Sequence, residues 1–230
     1  MTATLERPPR ITRAAPTPCI RPLRAALRQV VYFFLDFSNI AISASQLAPD
    51  YGDGVFGQRS VRLHSENLRS FVQRERIWGS GYAAAGLTDQ RSLIKRPFEQ
   101  VDITFDICER GCITGAEQNV DQRIQLEMMR LLEPDVEKGT VVLATGDGNG
   151  FSDNQGFIRT LAALHRSGFG VEVMSWRHSF NQHLRDWTHD HGGRVIELDD
   201  FYHDLTFIKD GRRATPKHQL GNKLARCLAA

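Results

Sequence analysis

The sequence predicts an α/β protein with a mostly parallel central sheet covered by helices on both faces. Three observations predict it. Two segments, Val30-Val31-Tyr32-Phe33-Phe34-Leu35 and Thr140-Val141-Val142-Leu143-Ala144-Thr145, are almost wholly apolar and β-prone, as strands buried on both faces must be. Amphipathic helical stretches alternate with strand-like ones from residue 30 to about 198, the signature of repeated βαβ units. A chain of 230 residues, 41% hydrophobic, can bury one sizeable core with free ends.

Residues 1–29 hold Pro8, Pro9, Pro16, Pro18 and Pro22, and Arg7, Arg10, Arg13, Arg21, Arg24 and Arg28. They are predicted to form a flexible basic arm. The first strand stops at Asp36-Phe37-Ser38-Asn39, where Ser38 or Asn39 is positioned to cap a helix running to about Ser45. Residues 47–64 are Gly-rich and polar and read as a loop. A helix is expected near 65–75, a short strand near 77–84 and an alternating strand at 101–107. A helix over about 118–133 puts Val120, Ile124, Met128 and Leu131 on one stripe, and Pro134 ends it. After the strand at 140–145 come the turn Gly146-Asp147-Gly148-Asn149-Gly150, a helix over about 154–166 ending near Gly168, and a strand at 171–175. A helix over about 179–190 ends at Gly192-Gly193, and 194–198 is expected as the last strand. The predicted domain spans residues 30–205, and 206–230 form a basic tail.

Net charge is only +2, but Arg212, Arg213, Lys217, Lys223 and Arg226 follow the last acid, Asp210. Basic ends around a neutral body suit a polyanionic partner such as RNA, and equally suit simple solubilising tails. The four cysteines lack the spacing of a zinc cage and are read as reduced thiols in a cytoplasmic setting. No apolar run reaches the ~18 residues needed to span a bilayer. The N-terminus has no secretory h-region, although an Arg-rich leader is compatible with a transit peptide.

The chemistry points to acids. Leu35-Asp36 and Thr145-Gly146-Asp147 end two of the most apolar strands, where α/β sheets place their sites. Asp121 lies in the first turn of a helix, beside its apolar stripe. Any one of these is ordinarily a cap or turn residue; the case rests on all three. Crowded carboxylates repel unless a cation neutralises them, and oxygen-only ligands suit a hard ion, Mg²⁺ or Mn²⁺. Such an ion activates water and holds a scissile phosphate.

The pieces Phe34-Leu35-Asp36-Phe37-Ser38-Asn39-Ile40, Glu117-Gln118-Asn119-Val120-Asp121, Ala144-Thr145-Gly146-Asp147-Gly148-Asn149, Phe151-Ser152-Asp153, Gly156-Phe157 and Gly170-Val171-Glu172-Val173-Met174-Ser175-Trp176 resemble, in this order, the NYN domain, a PIN-like nuclease family. The resemblance covers about residues 30–200. It implies a three-layer α/β/α PIN-like fold, Mg²⁺ or Mn²⁺, and cleavage of RNA. It makes Asp36, Asp121 and Asp147 the metal ligands and Asn39 a residue that orients Asp36 or the phosphate, with Ser38 and Asn149 beside the substrate. Many members carry a second aspartate two residues after the first, where this chain has Asn149. Asp153 is the candidate replacement. Ala116 stands near the place of a lysine common in relatives.

Other readings are weaker. Asp147 would oppose a pyrophosphate in a dinucleotide site, and no G-x-x-x-x-G-K-[ST] loop is present. An aspartyl-phosphate enzyme would want an acid where Ser38 stands. A PIN-type toxin is usually shorter. A catalytically weak or inactive PIN-like RNA-binding module is the principal alternative to a ribonuclease. His178, His183, His189 and His191 read as a solvated face in preference to a zinc site. Trp176 either stacks on an unpaired base, with Arg177 on a phosphate, or packs a neighbouring helix.

Overall fold

The computed structural model of the chain describes residues 29–57, 60–86, 91–108, 120–146, 156–216 and 219–220. Of the N-terminal arm expected at 1–29, all but Gln29 lies outside these residues.

The elements run β1 (Val30–Asp36), α1 (Phe37–Gln46), β2 (Val61–Leu63), α2 (Ser65–Gln73), β3 (Ile77–Gly86), α3 (Arg91–Glu99), β4 (Ile103–Cys108), α4 (Val120–Arg130), β5 (Thr140–Ala144), α5 (Phe157–Arg166), β6 (Gly170–Ser175), α6 (Gln182–Asp190), β7 (Arg194–Glu197), α7 (Tyr202–Leu205) and β8 (Thr206–Ile208). Six strands form one parallel sheet in the order β4-β3-β1-β5-β6-β7. The three-layer α/β/α architecture expected from the sequence is the one found.

The apolar run of β1 is explained by its central place. All seven of its residues are buried. Val31, Phe33 and Leu35 pack with Ile40 of α1, Leu68 and Phe71 of α2 and Phe98 of α3. Val30, Tyr32 and Phe34 pack on the other face with Ile124 and Met128 of α4, Leu161 of α5 and Leu184 of α6. Alternate side chains of a strand point to opposite faces, so a strand covered on both has no polar face. The helices α5 and α6 end at Gly168 (φ +93) and Gly192 (φ +67), left-handed positions that glycine occupies without the Cβ penalty.

This topology builds a crevice. The chain leaves β1 into α1 on one face and leaves β5, its neighbour, toward α5 on the other. The carboxyl ends of two adjacent strands whose connections diverge leave an opening between them, the switch point at which α/β proteins bind ligands.

Several local expectations are corrected. The segment 47–64 contains β2, and Arg194–Glu197 is not the last strand, because β8 follows it. These two short strands pair antiparallel, with Val61 opposite Ile208 and Leu63 opposite Thr206. The basic segment after 205 therefore opens with a strand, and Arg212 is engaged beyond it. Its Nη2 donates to Asp53 Oδ2 at 2.7 Å and to Thr206 Oγ1 at 2.9 Å. The sequence pattern assigns nothing to 91–99. Helix α3 is polar over most of its length and holds Pro97, but Phe98 anchors it in the core. No helix among the described residues is long and apolar enough to cross a membrane.

Candidate functional site at the β1–β5 switch point

Asp36 ends β1 and is buried, 5% exposed. Its position alternates with Leu35, so it faces the layer of α4, α5 and α6. It is also the N-cap of α1. Oδ1 accepts the amide N–H of Asn39 at 3.1 Å. This corrects the expectation that Ser38 or Asn39 caps the helix: the helix starts directly on the last strand residue, so the cap is the strand-end carboxylate. The other oxygen, Oδ2, accepts the hydroxyl of Thr145 at 3.2 Å across the crevice. Two neutral donors from two elements therefore hold the carboxylate in one orientation.

The loop leaving β5 is fastened at the same place. Asn39 Oδ1 accepts the N–H of Gly146 at 2.8 Å, and the Gly146 carbonyl accepts the N–H of Asn181 at 3.0 Å. A Cβ on Gly146 would lie 2.6 Å from the Ser179 carbonyl oxygen, so the close approach of these backbones requires glycine. Ser38 is used in a different bond. Its Oγ accepts the N–H of Gly86 at 3.0 Å and ties the end of β3 to the start of α1.

Asp121, partly buried, is in the first turn of α4. The chain reaches α4 from the carboxyl end of β4 and leaves it for the amino end of β5, so the first turn stands at the carboxyl edge of the sheet. Val120 and Cys108 share the buried cluster of Phe34 and Ala84. The topology thus puts Asp36 and Asp121 at the same edge and on the same face. Asp147, Asn149 and Asp153 lie outside the described residues. Among the described residues no three His, Cys, Asp or Glu side chains form a metal cage. That applies to His178, His183, His189 and His191, of which His178 bonds Gln46 and His191 stacks on Trp187.

Trp176 does not present a face to any base, which corrects the stacking alternative. It is fully buried, and its Nε1 donates to the Ile40 carbonyl at 2.9 Å. It follows β6 on the side facing α1, where an indole fills the core and has one polar atom to satisfy. Arg177 is largely exposed. Its Nε donates to Glu197 Oε2 at 2.8 Å and its N–H to Asp199 Oδ2 at 2.7 Å. The hydrogen bond to Glu197, then its charge, raises the Arg177 pKa.

Two further residues were not singled out in the sequence. Thr145 orients Asp36, and its only signal was its place beside Gly146-Asp147. Asp106 lies in the same cross-sheet row as Asp36, because Asp36 pairs with Ala84 and Ala84 with Asp106. The phenol of Tyr82 donates to Asp106 Oδ2 at 2.8 Å. Burial, and then this bond, push the Tyr82 pKa up. An acid near the end of an apolar strand was the available signal, the same one that marks Asp36.

A three-layer α/β/α sheet with an oriented carboxylate at its switch point defines the PIN-like class. The NYN domain family model matches residues 31–191, and the chain belongs to that family, a branch of the PIN-like nucleases. Among solved structures the chain is similar to a protein of unknown function from Vibrio parahaemolyticus RIMD 2210633, at 17% identity and a TM-score of 0.53. The match covers 74% of this chain and 91% of that one, a likeness of fold. No curated protein matches.

Proposed function

We propose that the protein is a metal-dependent endoribonuclease whose acidic site is built on Asp36, Asp121 and Asp147. The observation that carries this reading is the doubly oriented carboxylate of Asp36 at the switch point, within a chain of a nuclease family. The donor set fits a hard divalent ion, since every candidate ligand offers oxygen. Asp36, Asp121 and Asp147 would hold Mg²⁺ or Mn²⁺, with Asp153 compensating for the missing charge at Asn149. A bound divalent ion supplies neutralisation of the acids and of the phosphate, and a water of lowered pKa.

The chain's own residues do the positioning. Thr145 and the Asn39 amide fix the direction of Asp36. Asn39 fixes the loop that leads into Asp147 through the Gly146 amide. The exposed part of Arg177 and the basic ends supply attraction for the phosphate backbone of RNA. The neutral Asn149 favours a second reading, a catalytically weak RNA-binding module on the same fold.

The test is cleavage of labelled single-stranded and structured RNA by purified protein with Mn²⁺, Mg²⁺ or EDTA, alongside Asp36→Asn. Asparagine keeps the cap oxygen, and its amide can donate to Thr145, so the variant should fold with stability within about 1 kcal/mol of wild type. Cleavage should need the ion and fall at least ~100-fold in Asp36→Asn, with RNA binding retained. Undiminished cleavage by Asp36→Asn rejects the site. Binding without cleavage in any metal assigns the second reading.

A further inference from the structure

On the face of the sheet opposite the Asp36 carboxylate, a cleft of about 330 Å³ opens between the β2–α2 junction, α3 and the segment after β8. It stands at the same carboxyl edge as the switch point. Helix α2 leads into the amino end of β3, so its first turn is at the carboxyl end, and Phe37, which lines the cleft, follows Asp36 directly in the chain.

The lining has two chemistries. The inner wall is aromatic. Phe37 and Phe98 meet edge to face with centroids 5.5 Å apart, and His64 and Phe207 do so at 6.0 Å. The rim is charged. Arg62 and Arg213 stand on the β2–β8 side, and Glu66 in the first turn of α2 opposes them. Arg213 is exposed and pairs with no carboxylate among the described residues. Arg62 donates to its neighbour's carbonyl, Val61 O, at 2.9 Å. One anionic group is therefore matched at the rim on the arginine side, and one flat apolar group inside.

We infer that this cleft binds one nucleotide of single-stranded RNA, its base among Phe37, Phe98, His64 and Phe207 and its phosphate at Arg62 and Arg213. The volume is within the range of small-ligand sites. Aromatic side chains take unstacked bases without regard to sequence, and arginines track the backbone beside them. A purely apolar ligand would leave the rim arginines unused, and a bare anion would leave the aromatic wall unused. The inference rests on the nuclease reading for its biological meaning, since it gives the substrate strand a second anchor beside Asp36, but it is tested without any chemistry.

The experiment is calorimetric or NMR titration of the full chain in EDTA with each of the four 5′-ribonucleoside monophosphates, with inorganic phosphate, and with the parent nucleosides. At least one mononucleotide should bind saturably, about ten-fold tighter than phosphate or nucleoside alone. Arg213→Ala and Phe207→Ala should each weaken it by between about five-fold and a hundred-fold, the scale of losing one base stack or one phosphate contact. Asp36→Asn should leave it unchanged. No saturable binding, equal binding of bare phosphate, or undiminished binding in Arg213→Ala overturns the inference. Phe207 packs on the β2–β8 pair, so Arg213→Ala, on an exposed side chain, decides the matter if Phe207→Ala unfolds. Cleavage with no mononucleotide binding rejects the cleft and keeps the nuclease; binding with no cleavage does the reverse.

Discussion

Gly146→Ala tests whether the crevice is built as described. An added Cβ would meet the Ser179 carbonyl oxygen at 2.6 Å, Asn39 Oδ1 at 2.8 Å and Ser179 Oγ at 2.8 Å. The side-chain atoms can turn away, but the carbonyl is backbone. The loop cannot slide either, because the Gly146 N–H donates to Asn39 and its carbonyl accepts from Asn181. Overpacking of this kind costs about 1–3 kcal/mol, and loosening one of the two hydrogen bonds adds about 0.5–1.5 kcal/mol. The expected loss is about 2–4 kcal/mol in chemical denaturation. Cleavage by the folded variant should drop about 100-fold, since a shift of ~1 Å in a positioning group has that effect. In the double variant Asn39→Ala with Gly146→Ala, one side-chain contact is gone but the carbonyl contact stays, so little stability should return. A Gly146→Ala protein within about 0.5 kcal/mol of wild type, or full recovery in the double variant, would refute the reasoning.

Three further outcomes are expected. Trp176→Phe should cost about 2–3 kcal/mol, from lost core volume and the unmade bond to Ile40, while RNA affinity of the folded variant stays constant; a specific loss of affinity would return the indole to the binding surface. Arg212→Ala should cost about 3–5 kcal/mol by leaving the buried Asp53 unpaired, and a change below about 1 kcal/mol would show that the segment after β8 does not hold the fold. His64 has its pKa lowered from 6.5, first by burial and against the pull of Glu66. The folded state therefore takes up its proton less readily than the unfolded chain, so stability is whole above pH 6.5 and is lost as pH falls below it. His64→Asn keeps an N-cap acceptor for the Asn67 N–H and should flatten this decline in denaturation series from pH 7 to 5; parallel profiles would show that His64 is not its source.

What the sequence by itself determined is what local patterning can encode. A strand covered on both faces must be apolar at every position, so β1 and β5 announced themselves, and with them the parallel sheet and the strand-end position of Asp36. The stripe Val120, Ile124 and Met128 marked α4 for the same reason. Pairings between distant residues leave no local trace, and only the tertiary structure decided them. The three-residue strands β2 and β8 exist because each completes the other's hydrogen bonds. Register decided that Asp106 shares a row with Asp36. Where β1 ends decided that Asp36, and not Ser38 or Asn39, caps α1. Thr145 reaches Asp36 because β1 and β5 are neighbours in the sheet although 109 residues separate the two side chains. Trp176 and Arg212 had two readings each in the sequence, and burial chose between them. A polar or aromatic side chain acquires its role from the partner that desolvates it, and that partner is supplied by the fold.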